Sequence, residues 1–134
     1  METPKYEFSE AENQTIAILA SRMKWVGIIL ILIGGATGLV SIVSLGKSAA
    51  VPAFNLNVLI FLLFAVIFLL TGIWTANAAK SFALIVKTSG SDIGNLMDAL
   101  TSLLKLYYMQ FWLIIDSLIA LIVATLVLLS INLL

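Results

Sequence analysis

One carboxylate stands inside a long apolar stretch of the sequence and is the residue best placed to do chemistry. Asp116 lies within the segment 108–132, which holds no other charged side chain. An acid inside a membrane segment is costly, turns toward protein or water, and marks many proton and ion pathways. A proton or cation site at Asp116 is therefore one interpretation.

The other interpretation gives Asp116 a structural role as a buried hydrogen-bond acceptor or ion-pair partner. We favour it, because a transport path usually shows several polar groups at depth and this segment has one carboxylate. Asn77 is the hydrogen-bond partner nearest in expected depth, so the sequence predicts that Asp116 and Asn77 are both buried. The basic candidates on the same side of the membrane are Lys80, Lys24 and Arg22.

Most other catalytic chemistry is excluded by residue type. The 134 residues include no histidine and no cysteine, which removes thiol chemistry, Cys/His zinc sites, imidazole general bases and the triads that need them. No phosphate-binding loop, zinc-protease motif or nucleophile elbow occurs. We expect no enzyme activity, no metal site and no cofactor.

Composition places the chain in a membrane. Apolar residues make up 62% and charged residues 10% of the sequence, against about 45–50% and about 25% in soluble domains. Seven basic residues balance seven acidic ones, so the chain has no net charge that would attract nucleic acid, and we expect no nucleic-acid binding. The expected surroundings are membrane lipids. Residues 1–24 are too polar for the start of a cleaved signal peptide.

Three stretches are long enough to cross about 30 Å of hydrocarbon, which takes roughly 20 helical residues. They are about 25–45, 58–79 and 108–132. Backbone groups in lipid must bond within their own segment, and nothing alternates with the period of a barrel strand, so each stretch is predicted as a helix. The predicted fold is an all-α membrane protein in which residues 9–134 form one three-span domain.

The connection between the second and third spans is predicted to contain a helix. A break at 88–90 precedes Ser91 or Asp92 as an N-cap, and 91–107 then shows the periodicity of an amphipathic helix. Its apolar face is a candidate interaction surface, formed by Ile93, Leu96, Leu100 and Leu103. Because basic residues are scarce there, we expect this face to pack on protein; a helix that senses the lipid surface is the alternative.

A second helical extension is predicted before the first span. Ser9 and Glu12 fit a capping box, and apolar residues follow at helical spacing. We expect residues 1–8 to be a flexible tail and the extensions to form a small helical bundle on one side of the membrane.

Orientation follows from the basic residues. With three spans, six of the seven lysines and arginines fall on the side of the N-terminus and of 80–105, and Lys47 falls on the other. This asymmetry predicts a cytoplasmic N-terminus and a C-terminus on the opposite side of a bacterial plasma or thylakoid membrane. Tryptophans prefer the membrane interface, and all three are predicted in the cytoplasmic leaflet: Trp25, Trp74 and Trp112.

Small residues predict helix-packing faces on two spans. Gly27, Gly34 and Gly38 share a face of the first span that includes a GxxxG motif, and Ala120 and Ala124 follow Asp116 at helical spacing. The partner of the glycine face is either another span of the same chain or a second copy, and both remain open at this point.

Two long segments of the chain resemble a known group of proteins. The pattern ASRMKWVGIILILIGG (20–35), followed by 76–116, which begins ANAAKSFALIVKTSG, is similar to a family of small bacterial integral membrane proteins of unknown function. The opening YEFSEAENQTIAILASRMKWVG (6–27) also resembles uncharacterised cyanobacterial membrane proteins. The resemblance implies two hydrophobic helices joined by a cytoplasmic helical segment and a photosynthetic membrane, and it assigns no catalytic or ligand residues.

These features favour a non-enzymatic scaffold or accessory membrane protein. It would act by self-association or by binding a larger membrane complex, photosynthetic or respiratory, because packing faces on several spans exceed what one chain can satisfy. The alternative is a small oligomeric channel or transporter with Asp116 in the ion or proton path.

Overall fold

A computed structural model describes residues 7–48 and 56–132, apart from the side chains at 47, 48, 121, 124, 127–129, 131 and 132. The chain forms three α-helices: α1 (Glu10–Ser48), α2 (Leu56–Lys87) and α3 (Asp92–Asn132). No strand occurs in these ranges. All three helices are long and apolar enough to cross a membrane, which confirms the predicted all-helical class and the prediction of three helices that could span a membrane. Most of the predicted turn at 46–57 lies outside the described residues.

Each helix is longer than a bilayer requires. The 39, 32 and 41 residues of α1, α2 and α3 correspond to roughly 58, 48 and 62 Å at a rise of 1.5 Å per residue, against about 30 Å of hydrocarbon. The predicted spans therefore occupy only part of each helix. The predicted helix 91–107 is the first part of α3 and runs without a break into the third apolar segment.

Small residues repeated every seven positions bring α1 and α2 together. One buried residue per seven faces the partner on each helix, namely Ala20, Gly27, Gly34 and Ser41 on α1 and Val58, Ala65, Gly72 and Ala79 on α2. A repeat of seven keeps one seam facing the partner along two supercoiled helices. The backbones of α1 and α2 are close together at these positions, because a Cβ on Gly27 would lie only 2.9 Å from the backbone nitrogen of Ala76.

The central helix is α2, which packs on α1 with one face and on α3 with another. Its second face buries Thr75, Ala78, Phe82 and Ile85. Near the start of α3 the three helices share an apolar cluster built on Ala20, Phe82, Ile85 and Ala99, with partly buried neighbours from the same ends of the helices. Ile85 is 1% exposed and Ala99 is 0% exposed, so the three helix ends are held at van der Waals distance.

A four-residue connection separates α2 from α3. Its turn needs Gly90, whose φ of 77° is in the left-handed region that favours glycine. On the α3 side, the carbonyl of Ser91 accepts a hydrogen bond from the backbone N–H of Asn95 at 3.0 Å, the position of an N-cap residue. The break predicted at 88–90 is therefore observed.

The segment before α1 is attached to the rest of the fold. Residues 1–6 of the predicted tail lie outside the described residues, but the backbone N–H of Phe8 donates to Asp92 Oδ2 at 2.9 Å. The Phe8 side chain packs against the shared cluster, so Phe8 is not part of a free tail. The predicted capping box is present, with Ser9 N and Ser9 Oγ both donating to Glu12 Oε2 at 2.7 Å.

Candidate functional site

The predicted interaction face of α3 divides into two parts. Leu96 and Leu103 pack against the shared apolar cluster, whereas Ile93 is 51% exposed and Leu100 is 45% exposed. The difference arises because α2 covers the side of α3 that contains Ala99, and Leu100 lies about 100° further around the helix. Packing within the chain therefore satisfies half of the face and leaves the other half uncovered.

The uncovered half belongs to a longer apolar surface that we call the outer stripe. It alternates steps of four and three residues along α3 and consists of Ile93, Met97, Leu100, Leu104, Tyr107, Phe111, Ile114 and Leu118. Every member is exposed, from 45% at Leu100 to 68% at Leu104. Its average spacing is that of a coiled-coil seam, and it lies roughly 120° around α3 from Ala99.

Asp116 and Asn77 are not buried in this chain, contrary to the prediction. Both side chains are exposed, and the hydrogen bonds of the described residues include none between them. The reason is the location of the contact between α2 and α3, which buries Asp92 and Ala99 but leaves no buried residue in the most apolar window of the described range Asp92–Ala120. Asp116 also lies roughly 140° around α3 from the outer stripe.

The glycine face of α1 is occupied by α2. A Cβ on Gly34 would lie 2.8 Å from Leu69 N and 2.9 Å from Ala65 O, while one on Gly38 would lie 3.6 Å from the Ala65 Cβ. The GxxxG pair therefore packs within the chain. On α3, Ala120 is exposed, and the side chain of Ala124 lies outside the described residues.

The three tryptophans lie on three different helices. Trp25 and Trp112 are 62% and 49% exposed, and Trp74 is half-buried. Because a Cβ on Gly27 would lie 2.9 Å from both Gly72 O and Ala76 N, Trp25 and Trp74 are separated by roughly 3 Å along the axis of the antiparallel pair. The Trp112 ring makes edge-on contacts with the rings of Tyr108 and Phe111, at centroid distances of 6.4 and 5.7 Å, so three aromatic rings lie at one level of α3.

Sequence reasoning missed two features that hold the site in place. One is the bond from Phe8 to the buried carboxylate of Asp92, which no spacing indicates because 84 positions separate the two residues. The other is the seven-residue repeat from Ala20 through Ser41, which was visible in the sequence as small residues at equal intervals.

Within the described part of the chain, no group of three His, Cys, Asp or Glu side chains is arranged to hold a metal ion. No protein-family model, curated protein or solved structure matches this chain.

Proposed function

We propose that this chain is a non-enzymatic integral membrane protein that self-associates through the outer stripe of α3 and acts as a scaffold or accessory subunit of a membrane assembly. The observation that carries the proposal is the exposure of large apolar side chains on the first four turns of α3. Contiguous exposed apolar patches on one face usually mark an interaction site.

The proposed placement puts the N-terminal end of α1, the C-terminal end of α2 and the start of α3 outside the bilayer on the cytoplasmic side. Two observations support it. The basic residues concentrate at these helix ends, with Lys47 as the exception, and the tryptophans lie where these ends enter the apolar segments. The shared apolar cluster then forms the core of a small helical bundle above the membrane.

In this placement the first half of the outer stripe meets water unless another surface covers it. Met97 and Leu104 are 56% and 68% exposed, and each large side chain removed from water contributes on the order of 1.5–3 kcal/mol. The stripe contains no charged residue, so an identical stripe on a second copy meets it without like-charge repulsion. A seam with this spacing pairs well with a copy of itself in a parallel coiled coil.

Cysteine cross-linking tests the proposal cleanly, because the natural chain has no cysteine. Met97→Cys and Leu104→Cys place one thiol on the stripe, and Leu19→Cys places one on an exposed position of α1 at the same end of the molecule. A disulfide needs Cα atoms within about 7 Å. In oxidised membranes we expect disulfide dimers for the two stripe variants and monomer for Leu19→Cys. Equal cross-linking of all three would overturn the proposal.

A second candidate function rests on Asp116. Its carboxylate is exposed within the third apolar segment, where an acid turns toward water or protein, so an oligomer that surrounds it with water would form an ion or proton path. Proton or cation flux into vesicles, compared for the natural chain and Asp116→Asn, tests this function. Flux that Asp116→Asn abolishes would establish the path, and absence of flux in the natural chain would exclude it.

A further inference from the structure

A groove with a basic rim lies between α1 and α2, and its lining residues all belong to these two helices. It has a volume of about 580 Å³, within the range of small-ligand sites in proteins. Its floor is made of short side chains from both helices, mainly alanines, and it opens to the side of the helix pair.

Among the described residues, three lysines and no acidic residue line this groove: Lys24, Lys80 and Lys87. All three side chains are exposed. Three of the seven basic residues of the chain thus border one cavity, and their charges add because no carboxylate among the lining residues offsets them.

The two nearest lysines lie within one helical turn of each other in height along the helix pair. A Cβ on Gly27 would lie 2.9 Å from both Gly72 O and Ala76 N, so Gly27 is level with about residue 74 of α2. In an antiparallel pair Lys24 is then level with about residue 77, and Lys80 is roughly 4.5 Å further along. Lys87 is about 10 Å further along α2.

The groove changes from basic to apolar along its length. Beyond Lys24, toward the apolar segments, the lining consists of Ile28 and Ala76. Trp25, which prefers the membrane interface, is adjacent to Lys24. A molecule in this groove therefore meets positive charge at the level of the interface and an apolar wall toward the hydrocarbon.

We propose that this groove binds an anionic phospholipid of the surrounding membrane, with the phosphate between Lys24 and Lys80 and an acyl chain along Ile28 and Ala76. Charge complementarity and the direction of the apolar wall select this occupant. Basic pockets between membrane helices bind anionic headgroups in other proteins. The inference rests on the proposed placement in the membrane and is independent of self-association through α3.

Native mass spectrometry of the full chain tests this binding. The protein is equilibrated with equal amounts of phosphatidylglycerol and phosphatidylcholine that have the same acyl chains, and the retained lipids are counted. We expect preferential retention of phosphatidylglycerol, lowered about five-fold by Lys24→Gln or Lys80→Gln. Lys105→Gln is the matched control, since it removes one exposed charge from α3 outside the groove.

A second pair of variants tests the groove without changing any charge. Ser21 lines the groove and is exposed, so Ser21→Phe fills space beside Lys24. Gln14 is exposed on the same helix and does not line the groove. We expect Ser21→Phe to lower phosphatidylglycerol retention and Gln14→Phe to leave it unchanged.

Three results would overturn the proposal. Equal retention of the two lipids by the natural chain would mean that the groove does not select anionic headgroups. An equal loss in Lys105→Gln and Lys80→Gln would assign the effect to general surface charge. Displacement of the retained lipid by excess inorganic phosphate would identify a soluble anion as the ligand in place of a membrane lipid.

Discussion

The contact between α1 and α2 makes a sharp prediction about two adjacent glycines. Gly34 and Gly35 share the same helix and the same sequence environment, yet a Cβ at 34 would lie 2.8 Å from Leu69 N, while a Cβ at 35 would meet nothing within 4 Å. Gly34→Ala and Gly35→Ala are therefore chemically identical changes that differ only in what lies opposite.

The magnitude follows from the distances. Ordinary Cβ contacts are 3.4–4 Å, so α1 and α2 must move apart until the distance from the new Cβ to Leu69 N grows from 2.8 Å to at least 3.4 Å. A gap of about 0.5–1 Å loses roughly a quarter to a half of each contact energy nearby, and overpacking costs about 1–3 kcal/mol. An alanine in an open helical position gains about 0.5–1 kcal/mol over glycine. That gain applies at both positions and cancels in the comparison, so we expect Gly34→Ala to be less stable than Gly35→Ala by about 1–3 kcal/mol.

Thermal unfolding in a mild detergent, followed by circular dichroism, measures this difference. Gly35→Ala should melt at or above the temperature of the natural chain, and Gly34→Ala should melt clearly below it. Gly46→Ala provides a further control, because a Cβ there also meets nothing within 4 Å. Equal melting temperatures for the variants at 34 and 35 would refute the packing of this glycine face against α2.

Three further predictions concern the connection and the cluster at the start of α3, and the same melting experiment checks each of them. Asp92→Ala removes the acceptor of the Phe8 N–H and should lower the free energy of unfolding by about 1–3 kcal/mol. Asp92→Asn retains an oxygen acceptor and should lower it less. Equal losses in the two variants would contradict the role of this hydrogen bond. Gly90→Ala places a residue with a Cβ at a left-handed φ and should lower the free energy of unfolding by about 1–2 kcal/mol. Gly94→Ala, whose Cβ would meet nothing within 4 Å, should be neutral or stabilising. A neutral Gly90→Ala would argue against the observed turn. Ala99→Leu overfills a position that is 0% exposed and should lower the free energy of unfolding by about 1–3 kcal/mol. Leu100→Ala, at an exposed position, should lower it clearly less. The reverse order would contradict the packing of α3 on α2.

The fold could be predicted from the sequence where the physics is local. A long uncharged stretch specifies a membrane helix whatever surrounds it, because its backbone has no other way to satisfy its hydrogen bonds. The break before α3 was predictable in the same way, since Gly90 supplies a backbone conformation that other residues avoid.

Which surface covers which face was not predictable, because periodicity defines a face without identifying its partner. The glycine face at Gly34 was compatible with a second copy or with another span, and the structure places α2 on it. Asp116 and Asn77 were expected to be buried because charge and polarity are costly in lipid, but the one-chain fold leaves both exposed. The position of α2 also decides which residues of the α3 face are covered. The local sequence around Ile93 and Leu96 does not indicate that Leu96 is covered and Ile93 is exposed.

The most direct test of the central proposal is energy transfer between labelled copies in lipid vesicles at decreasing protein-to-lipid ratios. The natural chain should retain transfer on dilution, because the outer stripe of one copy pairs with that of another. Leu104→Gln, at the most exposed position of the stripe, should lose transfer at a higher protein density than Leu19→Gln, which changes an exposed leucine of α1. Transfer that falls equally in all three proteins, or that is absent in the natural chain, would contradict self-association through α3.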